Sequence, residues 1–152
     1  MPHPHEELLR RAYADFARGD LAGFLSVCAD DITFRVPGRS PVAGTFRRDE
    51  FAEPMIGTVM RETAGTFRET VDDVVANDTR GVVFATHEFE RGGRTHSYRT
   101  SHVYRIAQGR LASFAEYPED LYAFDAAWGV PEPGAPRPGS TAESGRASMT
   151  VA

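Results

Sequence analysis

The sequence predicts an α+β fold, in which helices pack on one face of an antiparallel sheet. Two observations lead to this prediction. Apolar residues recur every three to four positions over much of the first 63 residues, as in amphipathic helices. From residue 66 the apolar period changes to two, which is the period of strands. Helices followed by a run of strands are typical of the α+β class.

The length and the composition predict one folded domain, residues 1–128, followed by a tail. A chain of 152 residues has the size of one domain and can bury a core with room for an internal cavity. Residues 129–152 are rich in Pro, Gly and Ser and contain few apolar side chains. We therefore expect the tail to be disordered.

Residues 6–18 predict the first helix. Leu9, Tyr13 and Phe16 fall on one helical face, acidic residues occupy the first turn, and Gly19 follows as a stop signal. We expect this face to pack on the sheet. Tyr13 then either belongs to the core or directs its hydroxyl into a cavity.

Two further helices and one strand precede the change of period. A short helix is expected over residues 21–29, and residues 31–37 alternate like a strand with one apolar face. After a loop rich in Pro and Gly, residues 49–63 predict a third helix. Pro54 and Gly57 interrupt its regular pattern.

Four extended segments form the second half of the domain. They span residues 66–77, 81–91, 94–106 and 110–117. Short turn sequences separate them, which indicates an antiparallel meander. Pro118 ends the last strand, and residues 119–129 predict one or two final helical turns.

The charge balance and the N-terminus exclude several classes of partner. The chain has 17 basic and 22 acidic residues, a net charge of −5 and no clustered basic stripe. Nucleic acid and anionic membrane surfaces are therefore not expected partners. No apolar stretch reaches the ~20 residues of a membrane span, and the first residues lack the layout of a signal peptide. We expect a cytoplasmic protein.

Cysteine and lysine usage exclude most cofactor chemistry. Cys28 is the single cysteine, so the chain has no internal disulfide and no cysteine cluster for a metal. No lysine occurs, which excludes a Schiff base, the lysine anchor of pyridoxal phosphate and a Walker-type phosphate loop. His3 and His5 form an HxH pair in a Pro-interrupted terminus without a third ligand. The sequence predicts neither a cofactor nor a metal.

Three stretches of the sequence resemble one family. They are YADFARGDLAGFLSVCADDITFRVPGRSPVAGTF, RIAQGRL and FAEYPEDLYAFDAAW. In this order and spacing they are similar to the SnoaL-like branch of the nuclear transport factor 2 (NTF2-like) superfamily, over residues 6 to about 128. The resemblance implies a cone, in which N-terminal helices pack on a strongly curved, mostly antiparallel sheet and enclose an apolar pocket. It also implies a homodimer formed through the sheet.

The turn between the last two strands decides which face Glu116 shares. If residues 107–109 form a three-residue hairpin loop, His102 lies opposite Phe114, and Glu116 comes two residues further along on the same face. The Cβ atoms of His102 and Glu116 would then lie roughly 7 Å apart, so the side chains can meet. A two-residue turn at residues 108–109 would instead turn Glu116 to the other face.

The preceding hairpin adds a second strand to this face. If Gly92 and Gly93 form a two-residue turn, His87 lies opposite Tyr98. The face then collects Val83, Ala85, His87, Tyr98, Thr100, His102, Tyr104, Phe114 and Glu116. An apolar wall with a few polar groups is typical of a pocket lining rather than of a dry core.

The resemblance also implies a catalytic pair. Polyketide cyclases of this superfamily carry a catalytic Asp in a His-Trp-Asp string on the last strand and a His or Asp in the strand before it. Glu116 matches the catalytic acid and His102 its partner. Glu replaces Asp and Ala115 replaces Trp, so the resemblance does not carry over a cyclase substrate.

These residues predict acid/base chemistry without a cofactor on a small, mainly apolar molecule. We expect burial to raise the pKa of Glu116 toward neutrality, as a general acid or base requires, and His102 to orient it or pass a proton. The reaction class stays open between cyclisation, isomerisation, dehydration and hydrolysis, in secondary metabolism. The alternative is a non-catalytic module that binds a small molecule or forms a dimeric interaction domain.

Six further residues are candidates for contact with the substrate. They are His87, Tyr13, Tyr98, Tyr104, Phe114 and Trp128. His87 is a second polar group on the predicted face, or a strand histidine satisfied by the backbone. Trp128 is expected to close the open end of the cone.

Overall fold

The computed structural model describes residues 1–131 of the chain. The predicted disorder of the tail falls on residues 129–152, of which residues 132–152 lie outside the described part. Within the described part, no helix combines the length and the apolar character that crossing a membrane requires.

Among the described residues, four α-helices and six strands make up the fold. The helices are α1 Pro4–Ala17, α2 Leu21–Leu25, α3 Gly57–Glu62 and α4 Leu121–Ala127. The strands are β1 Cys28–Val36, β2 Gly44–Arg47, β3 Arg68–Ala76, β4 Arg80–Arg91, β5 Arg94–Ala107 and β6 Arg110–Pro118. The predicted order of helices and strands is confirmed, and β2 is an addition that lies in the predicted loop.

Two predicted helices are shorter than expected. The second helix ends at Leu25, because Cys28 already begins β1. The third begins with a 3-10 turn, Arg48–Glu50, and a kinked segment, Phe51–Ile56, before α3. Within this segment the backbone of Glu53 is extended and Pro54 has no N–H, so no regular α-helical ladder forms.

The six strands form one curved sheet in the order β2-β1-β6-β5-β4-β3. Neighbouring strands are antiparallel except β1 and β6, which are parallel. α1 packs on β3 and β4, and its apolar face buries Leu9, Ala12 and Tyr13. The α+β architecture, with helices covering one face of a mostly antiparallel sheet, is therefore as predicted.

The histidine pair near the N-terminus serves the start of α1. His3 is the N-cap residue, and its Nδ1 accepts a hydrogen bond from the backbone N–H of His5 at 3.1 Å. Glu6 accepts one from the backbone N–H of His3 at 2.7 Å, which completes a capping box. His3 Nε2 and His5 Nδ1 also contact the turn after β3, at Asp78 and Asn77.

The hairpin between β5 and β6 differs from the prediction. Ala107 pairs with Arg110, so the turn has two residues, and a bulge at Ala112 then shifts the register by one. The bulge returns the rest of β6 to the predicted face, and Glu116 lies directly opposite His102 rather than diagonal to it. The predicted turn is wrong, but the predicted face is correct because the bulge compensates for it.

Aromatic rings from the helices and from β1 form one end of the core. The centroid of the Phe51 ring, on the kinked segment, lies 5.0 Å from the ring centroid of Phe24 and 4.7 Å from that of Phe34. Burial of each such ring stabilises the fold by about 1.5–3 kcal/mol. This packing fixes the irregular segment against the mouth of the sheet.

Candidate active site

The helices and the concave face of the sheet enclose a cavity. Its volume is about 80 Å³, room for roughly six water molecules or one small ring. Phe, Tyr, Trp and aliphatic side chains form most of its wall. Of the described residues that line it, the ionisable side chains other than tyrosine are two carboxylates and two imidazoles.

These four groups come from four consecutive strands of the sheet. Glu69 lies on β3, His87 on β4, His102 on β5 and Glu116 on β6. Glu69 is the register partner of His87, and His102 is the register partner of Glu116. The strand pairing therefore builds two cross-strand imidazole–carboxylate pairs that face the same cavity.

In the first pair, Glu116 and His102 are in electrostatic contact. Glu116 Oε2 lies 3.4 Å from His102 Nε2, although the two are not aligned for a hydrogen bond. The same oxygen accepts a hydrogen bond from Thr100 Oγ1 at 2.9 Å. Burial acts to raise the pKa of Glu116, but the contacts with His102 and Thr100 outweigh it, so the pKa is lowered.

The pKa of His102 moves in the opposite direction. Burial acts to lower it, and the adjacent carboxylates of Glu116 and Glu69 outweigh burial, so the pKa is raised. Both shifts favour the charged forms of the pair, an imidazolium beside a carboxylate. The sequence-based expectation that burial raises the pKa of Glu116 is wrong, because it did not count the opposing charge of the partner.

The other nitrogen of His102 contacts Tyr13, whose hydroxyl in turn contacts that of Tyr104. Tyr13 Oη lies 2.6 Å from His102 Nδ1 and 2.6 Å from Tyr104 Oη. Burial is the main reason that the pKa of each of these tyrosines is well above its ordinary value. Both therefore remain hydroxyls that can donate or accept a hydrogen bond.

In the second pair, Glu69 and His87 are hydrogen-bonded at close range. His87 Nε2 lies 2.6 Å from Glu69 Oε2, and His87 Nδ1 lies 3.0 Å from Tyr98 Oη. The indole N–H of Trp128 donates to the same Tyr98 oxygen at 2.9 Å. Burial acts to raise the pKa of Glu69, but the hydrogen bond and the electrostatic interaction with His87, together with the charge of His102, outweigh it, so the pKa is lowered.

Longer contacts join the two pairs into an alternating ring. His87 Nδ1 lies 3.8 Å from Glu116 Oε2, and His102 Nδ1 lies 3.9 Å from Glu69 Oε2. Each carboxylate thus has both imidazoles as neighbours. The arrangement places each carboxylate beside two imidazoles in an otherwise apolar cavity, where an isolated charge would be costly.

The sequence profile of the SnoaL-like domain matches residues 9–114, most of the described fold. The chain belongs to the SnoaL-like domain family. An uncharacterized protein of Mycobacterium tuberculosis strain H37Rv is 33% identical to it over 124 residues, 80% of this chain and 94% of that protein.

Solved structures support the SnoaL-like assignment. Bal32a, from a soil-derived mobile gene cassette, has a TM-score of 0.74 and 31% identity, with 80% of this chain and 94% of that chain covered. An NTF2-like protein of Burkholderia pseudomallei K96243 has a TM-score of 0.71 and 26% identity, with 82% and 96% covered. The predicted NTF2-like superfamily and cone-shaped fold are confirmed.

The structure of this SnoaL-like domain places every predicted site residue on the cavity wall. They are Glu116, His102, His87, Tyr13, Tyr98, Tyr104, Phe114 and Trp128. The open question about Tyr13 is answered, because its hydroxyl reaches His102 inside the cavity. Trp128 is 1% exposed and stacks on Phe89 at 4.2 Å, so it forms part of the wall rather than a lid over the open end. The roles assigned to these residues stay predictions.

Sequence reasoning missed Glu69, which completes the ring. The signal that could find it is its place opposite His87, which requires the register of β3. A bulge at Asp72 shifts that register by one residue, so counting back from the turn after β3 places Glu69 incorrectly. The side chain of the extra residue, Asp72, accepts a hydrogen bond from the hydroxyl of Thr86 on β4.

Three ring members also form a possible donor set for a metal. One ligand atom from each of Glu69, His87 and His102 lies within 4.8 Å of the others. Two ligands of one tetrahedral zinc ion lie roughly 3.3 Å apart. The 2.6 Å contact between Glu69 and His87 is shorter, and it is the length of a charge-assisted hydrogen bond.

Proposed function

We propose that this SnoaL-like protein is a cofactor-free acid/base enzyme that acts on a small, mainly apolar molecule. One observation carries the proposal: a carboxylate with a lowered pKa and an imidazole with a raised pKa stand 3.4 Å apart inside an apolar cavity. A base and an acid are thus both available in the correct protonation state at neutral pH. Perturbed groups of this kind cluster at functional sites.

In the proposed reaction, Glu116 and His102 divide the proton transfers. Glu116 is ionised and takes a proton from an activated carbon. His102 is protonated and gives its proton to a carbonyl, hydroxyl or epoxide oxygen of the same molecule. The net reaction is cyclisation, isomerisation, dehydration or, where water is the second reactant, hydrolysis, depending on the substrate. Secondary metabolism is the proposed setting.

The two tyrosines give His102 a means of taking up and releasing a proton without moving. When His102 is neutral, Tyr104 donates to Tyr13 and Tyr13 donates to Nδ1. When His102 is protonated, the direction reverses, and the Tyr104 hydroxyl is free to donate into the cavity. The proton lost from Nδ1 leaves through these hydroxyls, each of which takes up one proton and gives one away. Both hydroxyls are buried and line the cavity, so no side chain has to move.

The size and the wall of the cavity limit the substrate. A volume of about 80 Å³ admits one small ring unless the wall moves. Aromatic side chains offer stacking faces for such a ring. The two carboxylates and the lack of arginine among the described lining residues disfavour an anionic ligand.

A ring-sized probe with an acidic carbon tests the proposal without knowledge of the natural substrate. 3-Cyclopentenone, a single five-membered ring, isomerises to the conjugated 2-cyclopentenone when a base removes a proton from the carbon beside its carbonyl group, and the product absorbs in the ultraviolet. We expect the protein to isomerise it faster than free acetate at equal concentration, and Glu116→Gln to lose this rate while it still binds the probe. A wild-type rate equal to that of acetate would contradict the proposal.

The competing function is non-catalytic binding of a small molecule. It is favoured by the contacts of each carboxylate with the two imidazoles, which let the four groups persist without a reaction. The Glu116→Gln variant separates the two functions. Unchanged binding with lost turnover supports the enzyme, whereas turnover that does not depend on Glu116 supports the binding module.

A homodimer and a cytoplasmic location are further proposals. The outer face of the sheet carries exposed apolar side chains, Val75 on β3, Phe84 on β4 and Tyr117 on β6. A second copy of the chain that packs there would cover them. Light scattering on wild type and on Phe84→Glu tests this, since a dimer through this face should dissociate in the variant.

A further inference from the structure

We propose that Trp128 is a positioning residue that acts through Tyr98 on His87. It fixes the neutral form of His87 with the hydrogen on Nε2 and opposes protonation at Nδ1. His102 is then the imidazole of the ring that carries the proton. The assignment of proton transfer to His102 rests on the proposed function, while the hydrogen-bond assignment of His87 does not.

The indole of Trp128 can donate a hydrogen bond but not accept one. Its Nε1 lies 2.9 Å from Tyr98 Oη, so Tyr98 is the acceptor of that bond. The single O–H of Tyr98 must point elsewhere. His87 Nδ1 lies 3.0 Å from the same oxygen and is the other polar partner of Tyr98 among the described residues.

The direction of this bond fixes the hydrogen on the imidazole. Because Tyr98 donates to Nδ1, that nitrogen carries a lone pair, and the ring hydrogen of neutral His87 lies on Nε2. This N–H points at Glu69 Oε2 over 2.6 Å. The chain therefore runs in one direction, from Trp128 through Tyr98 and His87 to Glu69.

Protonation of His87 would break this chain at Tyr98. A hydrogen on Nδ1 would face a hydroxyl oxygen that already accepts from Trp128, and the Tyr98 O–H would lose its acceptor in a buried site. The other groups that face His87 are Glu69, Glu116 at 3.8 Å from Nδ1, and the His102 ring at 5.3 Å. Glu116 favours a charge on His87, but it is 3.8 Å away and is already in contact with His102 and Thr100.

His102 has no such restriction. Its Nδ1 contacts Tyr13, and the next group in that chain is the hydroxyl of Tyr104, which can donate or accept. The chain of His102 is reversible, whereas the chain of His87 ends at a group that can only donate. The two imidazoles thus differ, because His102 can gain and lose a proton at Nδ1 whereas His87 cannot.

The packing of Trp128 makes it a suitable anchor for this control. It caps the C-terminus of α4, is 1% exposed and stacks on Phe89 with ring centroids 4.2 Å apart. Replacement by Phe keeps an aromatic ring for this stacking and removes the N–H donor together with one ring of the indole. Tyr98 could then accept a hydrogen bond from a protonated His87.

Nitrogen-15 NMR on the full chain labelled at histidine tests the proposal. In the wild type we expect His87 to keep an unprotonated Nδ1 resonance and a protonated Nε2 resonance from mildly basic to mildly acidic pH. In Trp128→Phe we expect the Nδ1 resonance to move to the protonated position as the pH falls. Loss of signals in His87→Asn and in His102→Asn assigns the two residues.

Tyr98→Phe is a second route to the same result, because it removes the hydroxyl that donates to Nδ1. Tyr13→Phe is the matched control, since it should change the His102 resonances and leave those of His87 as they are. A wild-type His87 with its hydrogen on Nδ1, or a Trp128→Phe variant with wild-type His87 resonances, would overturn the proposal. These readouts need no turnover, so they can fail while the proposed reaction holds, and the reverse is also true.

Discussion

The two imidazole–carboxylate pairs of the cavity have the same side chains and different surroundings. Glu116 and His102 lie 3.4 Å apart without an aligned hydrogen bond, and His102 is linked to two hydroxyls. Glu69 and His87 lie 2.6 Å apart, and His87 is linked through Tyr98 to an indole N–H. The hydrogen-bond partners beyond each pair, rather than the pair itself, therefore determine which imidazole can exchange a proton.

Replacement of the two carboxylates should give the largest difference in rate between the pairs. Glu116→Gln should lower the rate of 3-cyclopentenone isomerisation by about 10²–10⁴-fold, the usual contribution of a general base. Glu69→Gln should lower it less than about tenfold, because a glutamine oxygen can still accept the hydrogen bond from His87. Steady-state kinetics on the two variants, side by side, measure the ratio. Equal losses would contradict the division of roles between the two pairs.

Removing each carboxylate altogether should also affect stability unequally. Glu116→Ala leaves a buried imidazolium without its partner and should lower the free energy of unfolding by about 3–5 kcal/mol. Glu69→Ala leaves a neutral N–H without an acceptor and should lower it by about 1–3 kcal/mol. Urea unfolding curves of both variants and the wild type give these values. A larger loss in Glu69→Ala would indicate that His87 is the charged imidazole.

The pH dependence of stability should show both members of the first pair. Since the pKa of Glu116 is lowered by folding, its contribution is present above the ordinary glutamate pKa and is lost as the pH falls through the lowered value. Since the pKa of His102 is raised, its contribution is present below the ordinary histidine pKa and is lost as the pH rises through the raised value. Urea unfolding across pH measures both losses, and His102→Gln should remove the one at alkaline pH.

Much of the fold follows from local signals in the sequence. Gly92 and Gly93 fix the β4–β5 hairpin, so the pairing of His87 with Tyr98 is predicted and found. The helical spacing of α1 likewise places Tyr13 against the sheet. Where two glycines or a repeated spacing determine the geometry, the sequence is sufficient.

The two bulges mark where the sequence is insufficient. Ala112 in β6 and Asp72 in β3 each add one residue to a strand, and neither side chain announces it. In β6 the bulge cancelled an error in the turn, whereas in β3 it concealed Glu69. A single added residue changes the face of everything beyond it, and only the full pattern of strand contacts decides its position.

The protonation states could not be predicted from single residues either. Burial alone predicts a raised pKa for Glu116, and the charged groups around this side chain cannot be identified from the sequence alone. The lowered pKa depends on two imidazoles that reach it from β4 and β5. Electrostatic properties of this ring belong to the assembled sheet.

Removal of the Tyr104 hydroxyl should give the smallest change in rate. Tyr104→Phe removes the outer hydroxyl of the His102 chain but leaves Tyr13 able to contact Nδ1. We expect a reduction of less than about tenfold in the probe reaction, the size of one neutral hydrogen bond, and unchanged His87 resonances. Kinetics and nitrogen-15 NMR on one sample give both values. A shift of the His87 resonances would show that the two chains are not independent.

The ionised state of Glu116 beside a protonated His102 can be measured directly by carbon-13 NMR on the chain labelled at the glutamate carboxyl carbons. Glu116→Gln identifies the resonance. We predict the chemical shift of a carboxylate at neutral pH, with a titration midpoint below that of an ordinary glutamate. A resonance of a protonated carboxyl group at neutral pH would contradict the ion pair at the centre of the proposed chemistry.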